Sequence, residues 1–212
     1  DWSSDVCSSD LERFQMRKVV STALALLVAV AIVGAQDKGK GGGGKGGGKG
    51  GFTLPPSIQV TVTGVGADGK FPASNANPGP SPEIKWTTVP AGTQSFVLIM
   101  HDPDPVVNKM ASTDVTHWVV YDIPGTATGL PAGVKGGELA DGTKQGANIT
   151  NQPSYMGPAP PAGHGLHHYT FELFALDTKL NLPNGAQRAD IVKAMDGHVL
   201  GKGMAITPYE NK

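Results

Sequence analysis

Asp102-Pro103-Asp104, then His117-Trp118, then Pro160-Pro161 with His167-His168-Tyr169 collect two carboxylates, several imidazoles and a phenol in one chain. These are groups that hold a proton or a charged ligand. A carboxylate that accepts an imidazole N–H fixes the ring's orientation and favours its charged form. The ring's other N–H is then free to donate to an anion. Asp102 beside His117 or His167 fits that orienting part, Tyr169 adds a phenolic donor, and backbone N–H groups of the Gly/Pro loop add more. A site of this kind binds anions better as pH falls through the histidine range and less well as salt rises. Each residue also has a plain alternative. Asp102 and Asp104 are common turn acids, His117 fits a satisfied half-buried histidine, His164 and His168 fit solvated ones, and the prolines form turns. What joins them is their shared position at the borders of apolar strand patterns, which points to one polar pocket on a β scaffold.

The strands that must position these groups are visible. Ser95-Phe96-Val97-Leu98-Ile99-Met100 is a continuous apolar run, the length of a strand buried on both faces. His101-Asp102-Pro103-Asp104-Pro105 ends it, because two prolines cannot continue a ladder. His117 to Ile123 is the next strand, with His117, Val119 and Tyr121 on one face and Trp118 and Val120 on the other, closed by Pro124-Gly125. His168 to Leu176 is another, with Tyr169, Phe171 and Leu173 on one side. Ile58 to Val65 alternates as a half-buried strand does, and Ile84-Lys85-Trp86 is a short strand after an Asn/Gly/Pro-dense loop. Val134 to Gln152 reads as a long polar connection. Arg188 to Leu200 reads as a helix, with Ile191, Met195 and Val199 on one stripe. Gly201 and Gly203 end it, and Met204 to Thr207 forms a last strand.

The ends of the chain carry other signals. Residues 1–15 are Ser/Asp-rich, hold Cys7, and read as a non-native or disordered extension. Residues 16–35 read as a signal peptide: Arg17 and Lys18 form a basic start, Val19 to Val33 an apolar stretch, and Val33-Gly34-Ala35 a cleavage site of small residues. The apolar run is shorter than the roughly 20 residues that span a bilayer. Residues 36–51 form a flexible Gly/Lys-rich linker, whose Lys38, Lys40, Lys45 and Lys49 give at most weak, salt-screened contact with a membrane surface. Residues 52–212 suit one domain with a sizeable core. They carry 10 Lys+Arg and 13 Asp+Glu, a net of −3, which does not fit a nucleic-acid surface. They hold no cysteine, so the exported domain is stabilised by packing alone.

Several stretches in order resemble the phosphatidylethanolamine-binding protein family, in its bacterial Raf-kinase-inhibitor-like branch. They are Ser81-Pro82-Glu83-Ile84-Lys85-Trp86, Asp102-Pro103-Asp104-Pro105, His117-Trp118-Val119-Val120, Gly157-Pro158-Ala159-Pro160-Pro161, Gly165-Leu166-His167-His168-Tyr169 with Phe171-Glu172-Leu173, and Ala194 to Leu200. The resemblance implies a mainly β, two-sheet antiparallel Greek-key sandwich with one or two C-terminal helices. It also implies a small anion-binding pocket, carried over to Asp102, Asp104, His117, Pro160, Pro161, His167 and Tyr169, with Tyr155 closing one side. Two positions depart from the pattern at the rim: Asp104 runs straight into Pro105, and His168 stands where arginine is frequent. His164 is an additional imidazole on the approach.

The function expected is an exported, periplasmic or secreted binder of a small anion, either phosphate or a phospholipid headgroup. No cofactor, no metal and no nucleic-acid partner is expected. The alternative is an inhibitor of a kinase or protease, meeting a protein target through the pocket rim. A hydrolase or a metal-dependent enzyme, with His164-x-x-His167, His168, Asp102 and Asp104 as loose ligands, is the remoter reading. Neither a Gly-x-Ser-x-Gly nucleophile turn nor a phosphate-cradling loop of the P-loop kind is present.

Overall fold

The structure, a computed structural model, describes residues 57–107 and 109–212. The extension, export signal and Gly/Lys linker expected over residues 1–51, and the surface contact of that linker, lie outside them.

The elements run β1 (Gln59–Val62), β2 (Ile84–Thr87), β3 (Ser95–Asp102), α1 (Asp104–Val107), β4 (Val115–Pro124), β5 (Gly129–Leu130), β6 (Lys144–Gly146), β7 (His167–Leu176), α2 (Arg188–Ala194) and β8 (Val199–Tyr209). They build a three-stranded sheet, β1-β2-β5, and a five-stranded sheet, β6-β4-β3-β7-β8. Pairing within both sheets is antiparallel. A parallel bridge from Ile58 to Gly203 ties the start of the domain to β8. Gly203 is needed there, because an added Cβ would stand 2.2 Å from the Ile58 carbonyl oxygen.

The main core lies between the sheets, where Val62, Ile84, Trp86 and Leu130 meet Phe96, Leu98, Met100, Trp118, Val120, Phe171 and Leu173. A second core lies on the outer face of the larger sheet, where Val97, Ile99, Val119 and Tyr121 pack under Ile191 and Met195 of α2. The continuous apolar run of β3 follows from this: its alternate residues serve two cores. Burying each large apolar side chain contributes ~1.5–3 kcal/mol relative to leaving it exposed.

Three expectations need correction. The helix ends at Ala194, three residues beyond the buried Ile191, and Gly197 turns the chain in the left-handed region at φ 77°. Val199 is therefore exposed and opens β8, which runs through Gly201 and Gly203. The polar connection 134–152 contains β6, whose Gln145 is buried and receives the Trp118 indole N–H at 2.7 Å. The expected C-terminal helix is α2, and a further short helix, α1, follows β3. Finally, His117 does not share a face with Val119 and Tyr121. Met100 pairs with Trp118 but His101 pairs with Thr116, so His117 is the extra residue of a bulge. A bulge breaks the alternation, and the His117 ring turns instead against Tyr169 of the inter-sheet core.

The topology decides where a site can form. β3 lies between β4 and β7 and runs antiparallel to both. The end of β3 at Asp102, the start of β4 and the start of β7 at His167 therefore meet at one end of the larger sheet.

Candidate functional site

Pro103 ends β3 immediately after Asp102, and Asp104 opens the four-residue α1. The Asp102 carboxylate accepts two hydrogen bonds: Oδ1 takes the Asp104 backbone N–H at 3.0 Å, and Oδ2 takes His167 Nδ1 at 2.7 Å. Both side chains of that pair are almost completely buried. Asp104 in turn accepts the His168 backbone N–H and lies 3.2 Å from His168 Nδ1. Asp104 therefore fixes the first residues of β7, and with them the His167 ring. One donor atom each of Asp102, Asp104 and His167 lies within 4.8 Å of the others. Such a set is small enough to surround a cation, but its hydrogen bonds are made internally and to the His168 backbone.

With Nδ1–H given to Asp102, the other nitrogen of His167, Nε2, is buried and has no partner. Buried polar atoms in folded proteins are nearly always hydrogen-bonded. An unpartnered nitrogen on a fixed, carboxylate-paired ring is a candidate contact for a ligand.

Two aromatic groups complete the wall. The His117 ring stands edge-on to Tyr169, with centroids 5.1 Å apart. His117 Nδ1 donates to the Met156 carbonyl at 3.0 Å, since a carbonyl oxygen can only accept. Burial pushes the His117 pKa below its usual value, against the opposing pull of that hydrogen bond and of the Asp102 charge. His117 is thus a neutral imidazole around neutral pH. Burial, and then the Asp102 charge, push Tyr169 well above the usual phenol range, so its hydroxyl keeps its proton.

The segment 155–161 closes the site from the loop side. Tyr155 packs edge-on against Trp118 at 5.4 Å and donates its hydroxyl to the Asn75 carbonyl at 2.6 Å. Gly157 lets this segment approach the 75–77 turn; an added Cβ would stand 2.5 Å from the Asn77 nitrogen. Pro160 is buried and its carbonyl accepts Asn211 Nδ2 at 2.7 Å, while Pro161 is exposed.

The structure thus brings Asp102, Asp104 and His167 into one hydrogen-bonded set, with His117 and Tyr169 beside it. Tyr155, Pro160 and Pro161 are second to these. Tyr155 braces the loop, Pro160 anchors the C-terminal tail, and Pro161 belongs to the rim. Sequence reasoning missed the Met156 carbonyl, Asn75 and Asn211, which act through backbone or distant contacts and carry no motif. Asn148, which opens an Asn-Ile-Thr sequon, is buried, and its amide is spent on Thr150, Gln152 and Ser154. It is a turn cap in the folded chain.

A family model described as phosphatidylethanolamine-binding protein matches residues 53–210. The chain belongs to the phosphatidylethanolamine-binding protein family. It is 44% identical over 131 residues to a UPF0098 protein of Aquifex aeolicus, covering 61% of this chain and 74% of that one. It is 39% identical over 102 residues to the UPF0098 protein YbcL of Escherichia coli, covering 47% and 54%. The crystal structure of YbcL, described as a new member of the mammalian family, matches with a TM-score of 0.65 at 29% identity, over 74% of this chain and all of that one. A phosphatidylethanolamine-binding protein homolog from Chlamydia trachomatis matches at 0.64 and 28%, over 74% and 99%. Every site residue named above except Asn211 falls inside the stretch matched by the phosphatidylethanolamine-binding family. The sandwich of two antiparallel sheets with few helices is the fold of these neighbours.

Proposed function

We propose that the chain is an exported binding protein for a small phosphate-bearing anion, either free phosphate or the phosphate of a lipid headgroup, held without turnover. The observation that carries this reading is the buried, unpartnered Nε2 of His167 on a ring fixed by Asp102. Because Nδ1 already holds one proton, Nε2 donates to an anion only when the ring is charged, or accepts when the phosphate brings its own proton. In either case the complex holds one proton more than the free protein and the fully ionised phosphate together. Binding is therefore coupled to proton uptake and strengthens as pH falls. Tyr169 supplies a neutral donor that never competes by ionising. The family's name, with its phosphorylated lipid, agrees with this chemistry.

Calorimetric titration with inorganic phosphate and phosphoethanolamine near pH 6 and pH 8 tests the reading. Saturable binding, tighter at the lower pH and lost in His167→Ala, is expected. Equal affinity in His167→Ala rejects the site. Phosphoethanolamine recovered intact by phosphorus NMR is expected, and release of inorganic phosphate would make the chain a hydrolase. Export is tested by fractionating cells that express the whole chain, with Gln36 expected at the start of the mature protein.

A further inference from the structure

A phosphate pocket that contains two carboxylates has a charge problem. Asp102 and Asp104 each bring a negative charge, and each faces one imidazole, His167 at 2.7 Å and His168 at 3.2 Å. With both rings protonated these four groups sum to zero. His117 adds nothing, because burial favours its neutral form. Neither a lysine nor an arginine takes part in the ion pairs of this set. A phosphate monoester carries a charge of about −1.5 to −2 near neutral pH. It would therefore enter a site with no net positive charge to meet it.

His164 is placed to supply that charge. Its ring lies against the His167 ring, with centroids 6.2 Å apart and planes 22° from parallel. It is exposed, whereas His167 beneath it is buried. It stands between Gly163 and Gly165, both in the left-handed region at φ 81° and 85°, and nothing lies within 4 Å of where their Cβ atoms would be. Glycine adopts that conformation without strain, and two glycines with open space around them leave the tip free to reorient. The backbone N–H of His164 donates to the Pro161 carbonyl at 3.2 Å, which tethers the tip to the proline segment of the rim.

We propose that His164 is the second imidazole of the anion site, carried over the His167 ring on the Gly163-His164-Gly165 tip to give a bound phosphate the positive charge and N–H that the Asp102–His167 pair alone does not supply. The inference rests on the phosphate reading above and sharpens it. A ligand with close to two negative charges, inorganic phosphate or a monoester, gains more from His164 than a phosphodiester with one.

The test is titration of the full chain and its His164→Gln and His164→Lys variants with inorganic phosphate, phosphoethanolamine and glycerophosphoethanolamine. One charge-assisted hydrogen bond corresponds to a loss of ~10-fold in His164→Gln for the first two ligands, and ~3-fold is expected for the diester. His164→Lys, which keeps the charge and changes the shape, is expected to stay within ~3-fold of the wild type. Wild-type affinity in His164→Gln overturns the inference. So does an equal loss for monoester and diester, or a His164→Lys variant as weak as His164→Gln, since each marks a role in shape. A wild-type chain that binds none of the three removes the phosphate reading itself, and this inference with it. A wild type that binds while His164→Gln is unchanged removes only the inference.

Discussion

His101 and Asp102 are consecutive residues of β3, and they serve opposite faces of the five-stranded sheet with the same chemistry to different ends. On the outer face His101 lies between two carboxylates, 2.6 Å from Asp114 and 3.4 Å from Glu172. Asp114 also holds Arg188 at 2.7 Å, and Glu172 holds Lys202 at 2.5 Å. Neither ring nitrogen of His101 is aligned for a hydrogen bond, yet each faces a carboxylate at ion-pair distance. On the inner side the Asp102–His167 pair is more deeply buried and better aligned. Its ring nitrogen Nε2 nevertheless meets neither a hydrogen-bond partner nor a carboxylate. The outer cluster has more charged groups and is the weaker candidate for a ligand. Charge density does not mark a site; capacity left unmet in a fixed, buried group does.

The comparison predicts that damage on the two faces separates into different observables. The largest effect is expected from Asp102→Ala. Removing one partner of a buried pair costs ~3–5 kcal/mol, because the other is left uncompensated. Urea unfolding should register that loss, and phosphate titration of the folded fraction should register loss of binding. Phosphate binding that survives in Asp102→Ala would show that His167 needs no orienting carboxylate, and the contrast between the faces would fail.

The sheet and the meeting of these side chains were legible because they rest on local pattern. The apolar run of β3, its proline stop, and polar groups at strand borders place Asp102, His117 and His167 together. Which imidazole Asp102 holds was not legible. That follows from β7 lying next to β3, a pairing of residues 65 apart in the chain. The face taken by His117 was lost to a bulge, which a period of two cannot anticipate. The helix was overextended because Val199 falls on the helical stripe. The left-handed Gly197 ends the turn before that residue and sends it into β8. The outer cluster went unread, since its members come from three strands, a loop and a helix, and only Glu172 falls within a motif, there as one residue of a strand pattern.

Acid unfolding gives the next effect and sharpens the comparison by separating the faces in pH. The His101 ring and the Lys202 ammonium hold Glu172 down at about 2. Its folded pKa lies below its unfolded value of 4.5, so the stability it contributes is complete above that value and is lost as pH falls towards 2. The shift alone corresponds to ~3 kcal/mol, which solvent screening of this partly exposed group reduces to on the order of 2 kcal/mol. His117 acts in a different window. Burial lowers its pKa, so the unfolded chain takes up the proton first and stability falls as pH drops below 6.5. Stability measured from pH 8 to 2 should therefore lose its lower slope in Glu172→Gln and its upper slope in His117→Phe. Removal of both slopes by either variant would mean that the two faces are coupled through β3.

The smallest effect is expected where charge is most conspicuous. Lys202 pairs with Glu172 and lies 5.0 Å from the centre of the Phe174 ring, but about half of its side chain is exposed. An exposed ion pair is worth ~0.2–1 kcal/mol, and an exposed cation–π contact adds about as much. Lys202→Ala should therefore cost on the order of 1 kcal/mol in urea unfolding, with a loss that shrinks in high salt. Its phosphate affinity should equal that of the wild type. The opposite pattern is the informative one. If Lys202→Ala leaves stability alone and weakens phosphate, the outer face communicates with the pocket along β3 through His101 and Asp102. Those neighbours would then form one device, with the outer charges setting how firmly the strand end presents Asp102 to His167.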